Sequence, residues 1–302
     1  EGFNWTVFNN VTNMSYMFYK CECLMEINGT IKLGSDLSFI FSQCSSLKSL
    51  KGIDINKKCK INNMFSQCTS LSSLEELENW DTQNVMTIDY LFNGCISLKS
   101  LEGLQKFIVK NANEFSCLFN HCSSIVNVDE LENWDVSNAT NIDYLFNNCS
   151  SLESIKGLEK WNTSKVENMS YAFNGCSELT SVEYLLNWDT SSVTNMSQLF
   201  NGCSGLLCTK GLEKWKTGNV TEMYYMFGDC SSLFFLQELE NWDTSSVTNM
   251  SGMFRDASSL TNIDGASGWD TSSVTNMNSM FYGASNLTDI DGASNWNISS
   301  VT

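Results

Sequence analysis

Apolar residues along this chain keep a fixed rhythm instead of forming helix-length runs. Trp80, Phe107, Trp134, Trp161, Trp188, Trp215, Trp242, Trp269 and Trp296 follow one another every 27 residues, the signature of a stacked repeat. Twelve residues after each of the first eight stands a phenylalanine: Phe92, Phe119, Phe146, Phe173, Phe200, Phe227, Phe254 and Phe281. Phe18, Phe41 and Phe65 extend the column upstream. Eleven units are therefore visible. The first two Phe intervals shorten to 23 and 24 residues, and Lys57, Lys58 and Cys59 replace the usual Trp-Asp turn.

Residues 188–212 serve as the model unit. Asp189 to Asn195 is rich in side chains that bond local backbone groups, so it predicts a turn ending in a helix N-cap. Met196 to Phe200 suits one or two helical turns, with Gly202 as the left-handed stop. The segment after the repeat cysteine, as in residues 150–158, spaces its apolar residues by three, which fits the corner and strand of a solenoid coil. Such a coil cannot bury its apolar face alone, so neighbours must stack. The prediction is an α/β fold in one domain, residues 1–302, with atypical coils over 1–79 and regular 27-residue coils over 80–302, ending mid-repeat. Each of about eleven coils would carry a short parallel strand and a short helix or 3-10 turn. At roughly 4.8 Å per strand the stack would be about 50 Å long.

The unit W-D-T-S-S-V-T-N-M-S-x-M-F-x-x-C/A-S-S-L-T-x-I, clearest from Trp242 to Ile263 and from Trp269 to Ile290, resembles the repeat of the BspA-like leucine-rich-repeat surface proteins, including the unit called DUF285. The resemblance covers nearly the whole chain and is weakest from Phe18 to Phe65. It implies a right-handed, leucine-rich-repeat-like solenoid at a cell surface, with adhesion or host interaction as the usual proposed role. It brings no catalytic motif.

Charge narrows the partners. Seventeen Lys and Arg against 34 Asp and Glu leave a net charge of −17, and the basic residues form no stripe, so nucleic acid and anionic membranes lack an electrostatic footprint. No apolar stretch is long enough to span a bilayer.

Nine of the 13 cysteines lie three residues after the repeat Phe: Cys21, Cys44, Cys68, Cys95, Cys122, Cys149, Cys176, Cys203 and Cys230. Ala257 and Ala284 continue the column. The position therefore wants a small buried group, and the expectation is a ladder of unbridged thiols with no metal. Cys23, Cys59, Cys117 and Cys208 fall off the ladder without an evident partner.

The stacked Asp81, Asp135, Asp189, Asp243 and Asp270 invite calcium, but Asn162, Lys216 and Asn297 share their column, so an Asx-turn role is preferred. Asn13, Asn168, Asn195 and Asn249 belong to the T-N-M-S signature, where Asn would cap the helix. Asn4, Asn10, Asn28, Asn138, Asn219 and Asn286 lie outside it and are the better glycosylation candidates if the source is a eukaryotic secretory pathway.

His121, the single histidine, occupies a slot that holds Gly or Asn in other coils, so no Cys-His or Ser-His pair is expected. The chain predicts a non-enzyme without cofactors, placed extracellularly or at a cell surface. It would recognise a protein or glycan partner through residues that vary beside the strand, namely Lys99, Glu153, Glu178, Phe234 and Phe235; core packing is the competing expectation for the two phenylalanines. The alternative function is a structural subunit of an extracellular filament, sheath or coat built by solenoid self-assembly. An intracellular scaffold is a third reading.

Overall fold

The structure is a computed structural model and describes residues 11–27, 31–32, 34–55 and 59–302. Three side-chain columns run through its interior, one residue of each per coil. The Phe rings from Phe18 to Phe281 form an unbroken stack, with adjacent centroids 5.3–5.9 Å apart. The Trp column stacks at 6.1–6.5 Å, starting with Phe107 on Trp134. Each indole would bury an N–H, and it is satisfied in the same way along the column: Trp188 Nε1 donates to the Leu158 carbonyl at 3.0 Å and Trp215 Nε1 to that of Leu185 at 3.0 Å. The third column is the cysteine ladder. From Cys44 to Cys230 it is fully buried, and each thiol donates to a Phe carbonyl of an earlier coil at 3.1–3.3 Å. Cys21, its first member, is exposed instead. These stacks make the molecule a solenoid whose coils share one continuous core.

The segment expected to be helical is not. Between Met196 and Cys203 the backbone is a succession of turns with two alternating sets of hydrogen bonds. Met196, Gln198, Phe200 and Gly202 donate their N–H groups to carbonyls of the next coil, at Glu222, Tyr224, Met226 and Gly228, over 2.8–3.0 Å. Leu199, Asn201 and Cys203 donate three residues back within their own coil. A helix would spend all these donors locally; here half of them tie coil to coil. The geometry needs two left-handed residues per coil, four apart. One column runs Tyr16, Phe39, Asn63, Tyr90, Cys117, Tyr144, Tyr171, Gln198, Tyr225, Gly252 and Ser279. The other includes His121, Asn148, Asp229 and Asp256 as well as Gly94, Gly175, Gly202 and Gly283. Seventeen of these residues are not glycine, and each holds a conformation costing about 1–2 kcal/mol that the inter-coil bonds must offset.

Accordingly Asn195 caps no helix. Its Oδ1 accepts the Ser197 N–H at 2.9 Å, opening the first turn, and Asn168 and Asn249 do the same for Ser170 and Ser251. Parallel bridges link these asparagines from coil to coil, Asn141 to Asn168, Asn168 to Asn195 and Asn195 to Glu222. Among the described residues, regular strand is confined to β1 (Ile31–Lys32) and β2 (Ile53–Asp54), paired in parallel with Ile31 opposite Ile53. Of the short helix or 3-10 turn expected in each coil, the second is the one found: among the described residues there is no α-helix, and the helices are 3-10 turns such as Lys156–Leu158, Glu183–Leu185 and Gln237–Leu239. They sit in the segment that the apolar spacing assigned to a corner and strand.

These 3-10 turns show why glycine recurs before the repeat leucine. At Gly157 and Gly265 a Cβ would lie 1.9 Å from the carbonyl oxygen of Val128 or Leu236 in the preceding coil. Glycine is required for that approach, and it alternates along the column with larger residues at Glu130, Tyr184 and Glu238. A chain in which so many N–H groups donate between coils also has little room for proline, of which it contains none.

Candidate functional site

Two outer surfaces carry side chains that the interior does not use. The first lies just past the cysteine ladder. Lys99, Val126, Glu153, Thr180, Leu207 and Phe234 occupy one column, successive members 27 residues apart, and all are exposed. Backbone bonds hold this edge in register, with the Glu153 N–H on the Val126 carbonyl at 2.8 Å and the Phe234 N–H on that of Leu207 at 3.0 Å. Glu178 is exposed two residues before the column position held by Thr180. The structure thus gathers Lys99, Glu153, Glu178 and Phe234 on one edge, with Phe235 beside it. Neither phenylalanine packs in the core. Phe234 and Phe235 are 42% and 53% exposed, edge to face with centroids 4.5 Å apart, and Leu207 adjoins them at 56% exposure. Cys208, half-buried, bridges in parallel to Phe235.

The second surface is the turn face, and its main feature goes beyond the expectations set out above. Two residues before the repeat Phe, in the first left-handed column, tyrosine recurs. Tyr144 stacks on Tyr171 at 4.3 Å and Tyr16 on Phe39 at 4.6 Å. The Tyr171 and Tyr224 hydroxyls are 3.2 Å apart, and Gln198 donates to Tyr171. A line of asparagine amides runs alongside, Asn147 to Asn120 at 2.6 Å and Asn120 to Asn93 at 2.7 Å. The I-D-Y-L-F of residues 88–92 and 142–146 and the M-S-Y-A-F of residues 169–173 hold the signal that would have revealed this column.

Where Cys117 replaces tyrosine, between Tyr90 and Tyr144, a groove of about 610 Å³ opens, and Asp89, Glu114, Asp143 and His121 also line it. Having a Cys, a His and carboxylates together does not make a nucleophilic site here. Burial pushes the Cys117 thiol up to about 11; the Tyr90 hydrogen bond opposes this, and nearby Asp143 and Asp89 add to it. A reactive cysteine needs the opposite field. The same thiol, with Asp143 and Asp89, raises the Tyr90 phenol to about 12, and burial raises the Asp89 carboxyl above its usual range.

The remaining candidates are structural in their contacts. Asp189 and Asp243 each accept a serine N–H two residues on, at 3.1 Å, and the bonds from Ser191 and Ser245 hold both carboxyls below the usual carboxylate range. Among the described residues no group of His, Cys, Asp or Glu is arranged to hold a metal ion. All thirteen cysteines are unbridged; Cys23 is exposed, Cys59 and Cys117 are buried. Exposed Asn138, Asn219 and Asn286 each spend their amide on a carbonyl of the preceding coil, at Lys110, Ser191 and Ser258, over 2.7–2.8 Å. Asn4, Asn10 and Asn28, like Lys57 and Lys58, lie outside the described residues. No helix among the described residues is long and apolar enough to cross a membrane.

Stacked short coils, an aromatic and thiol interior and outward rims define a leucine-rich-repeat-like solenoid. The family model described as "Mycoplasma protein of unknown function, DUF285" matches residues 35–155, 125–232 and 207–302, and the chain belongs to that family. No curated protein matches the sequence. Among solved structures it is similar to a leucine-rich cell surface protein of Faecalibacterium prausnitzii, at 16% identity over 93% of this chain and 82% of that one, TM-score 0.35. It is also similar to a TLR13–ssRNA13 complex, at 15% identity over 90% of this chain and 46% of that one, TM-score 0.24. At these scores the architecture stands on the chain's own stacked columns.

Proposed function

We propose that this chain is a non-catalytic recognition module, displayed extracellularly or at a cell surface, that binds a protein or glycan partner along its repeated outer rim. The observation that carries this is the exposed cluster of Leu207, Phe234 and Phe235, set in a column whose members differ from coil to coil while every core column repeats. A solenoid presents such positions at fixed spacing, so many weak contacts sum through multivalency. Exposed apolar side chains grouped in this way are the usual mark of a contact surface. The raised Cys117 thiol supports a role without nucleophilic catalysis.

The test has two stages. Immunogold labelling of intact, unpermeabilised cells that express the protein should mark the envelope. Absence of label would overturn surface display, and regular labelling along a filament would replace recognition with a structural role. Screening of labelled host proteins and glycans should then find a ligand whose binding falls at least tenfold in a Phe234→Ser, Phe235→Ser double variant. Binding unchanged in that variant would remove the rim from the interface.

A further inference from the structure

The tyrosine column is interrupted by a small residue at Cys117, Gly252 and Ser279, and the chain shows how the gap at Gly252 is filled. At Gly252 there is no side chain, and the Tyr225 ring lies across the position: a Cβ there would be 2.5 Å from Tyr225 Cε2. Arg255, the only arginine in the chain, reaches over it. Its guanidinium carbon sits 4.8 Å from the Tyr282 ring centroid and 5.9 Å from that of Tyr225. Nη1 donates to the Tyr225 hydroxyl at 3.0 Å and Nε to Asp256 Oδ2 at 3.1 Å. A flat cation between two tyrosines and bonded to a carboxylate combines cation–π attraction with charge-assisted hydrogen bonds.

At Cys117 part of that arrangement recurs without the cation: Tyr90 stands where Tyr225 does, while the positions of Tyr282 and Asp256 are held by Asn147 and His121. The Tyr90 hydroxyl interacts with the Cys117 thiol, and both residues line the groove. The second ring comes from another column: Tyr144, two coils beyond Tyr90, lines the groove, where Ser279 stands at the Gly252 gap. Three residues after the gap, where Arg255 stands after Gly252, the chain has Asn120, and its amide is committed to Asn93. Three carboxylates, Asp89, Glu114 and Asp143, line the groove. None of them is in an ion pair among the described residues, and Asp143 Oδ1 is buried without a hydrogen-bond partner. Two tyrosines and three carboxylates outside any ion pair therefore suit a guanidinium, the group that the chain itself sets against two tyrosines and a carboxylate at Gly252.

We infer that the groove at Cys117 receives an arginine side chain of a protein partner, its guanidinium packed between Tyr90 and Tyr144 and bonded to Asp89 and Asp143. Arginine suits the site better than lysine because a planar guanidinium can stack on a ring and present paired donors to a carboxylate at once. The inference rests on the reading of the chain as a recognition module and names the partner chemistry of its turn face.

The test uses the whole chain and the peptide acetyl-Ala-Arg-Ala-amide, followed by NMR of the tyrosine ring signals. Saturable shifts at Tyr90 and Tyr144 are expected, weakening as salt rises. The citrulline peptide, isosteric but uncharged, and the lysine peptide should bind at least fivefold more weakly. Cys117→Tyr restores the column and should reduce arginine binding at least tenfold. Asp143→Asn should weaken it severalfold, and Cys117→Ser, which keeps the gap open, should leave it within twofold. A circular-dichroism melt of each variant checks folding; should Cys117→Tyr not fold, Asp143→Asn and Asp89→Asn decide. No saturable shift, equal binding by citrulline or lysine, or full binding by Cys117→Tyr overturns the inference. Lost surface labelling with arginine binding intact would count against the recognition reading alone, and the reverse result against the groove alone.

Discussion

The phenylalanine and tyrosine columns run two residues apart in every coil and obey different rules. The inner column is Phe in all eleven coils from Phe18 to Phe281, whereas the outer one passes from tyrosine to Phe39, Asn63, Cys117, Gln198, Gly252 and Ser279. Both stack, with Phe rings at 5.3–5.9 Å and Tyr144 on Tyr171 at 4.3 Å, so ring contact does not explain the difference. Burial does. A missing inner ring would leave a cavity between two coils that cannot close without breaking their shared backbone bonds, while a missing outer ring leaves a groove that solvent or a partner can fill. Uniformity marks the columns that hold the solenoid, and interruption marks the surface free to specialise.

The sharpest way to break the inside and spare the outside is alkaline pH. Burial raises the ladder thiols, to about 12 at Cys122 and Cys203, so the native state keeps its protons where the unfolded chain loses them. Stability is then full below the ordinary thiol value of 9.0 and falls as pH rises above it. With eight buried ladder thiols, from Cys44 to Cys230, the loss from pH 7 to pH 10 should be on the order of 10 kcal/mol. Urea denaturation across that range measures it; a flat profile would contradict burial of the ladder. In the same native protein a thiol reagent should modify Cys21 and Cys23 first, with the ladder reacting only on unfolding.

Single substitutions come next. Phe173→Ala should cost about 3–5 kcal/mol, and Tyr171→Ala, half-buried in the outer column, under about 1 kcal/mol; comparable losses would erase the distinction. Within the groove, Asp89 titrates above its ordinary value because of burial. Its ionisation therefore weakens the fold as pH rises through and above 3.8, and Asp89→Asn should raise the urea midpoint at pH 7 but not at pH 3. The smallest effect is expected at the turn carboxylates. Asp243, held below the usual range by its serine bonds, stabilises above that range and loses the contribution as pH falls through its lowered value. Asp243→Ala should shift the midpoint slightly at pH 7 and not at all at pH 2.

Much of this was legible in the residue spacing. The Trp, Phe and Cys columns needed only their intervals, and Ala257 and Ala284 already spoke for a buried small group rather than a disulfide. A helix between Met196 and Phe200 is the wrong reading because periodicity reports which side chains point inward and not where the N–H groups go; the left-handed Gln198 and Gly202 turn half of those donors toward the next coil. The tyrosine groove was present as the recurring Tyr before the repeat Phe, but its meaning depends on which neighbouring side chain covers each gap, as Tyr225 and Arg255 do at Gly252. The Gly and Glu alternation at Gly157 and Glu130 was equally visible as letters, yet only the close approach to the Val128 carbonyl gives it a cause.

The bonds that run from each coil to the next have a consequence for heredity. Coil after coil repeats the same backbone pairing along the turn face, so the main-chain bonds at one regular boundary match those at the next. An unequal exchange that adds or removes one repeat's worth of codons inside residues 80–302 keeps the Phe, Trp and Cys columns in register and disturbs only the alternation of glycine with larger residues at positions such as Gly157 and Tyr184. Such a gene can lengthen or shorten, and shuffle its outward residues, in single steps that the repeated backbone pairing carries over, and in steps of two repeats the glycine alternation is kept as well.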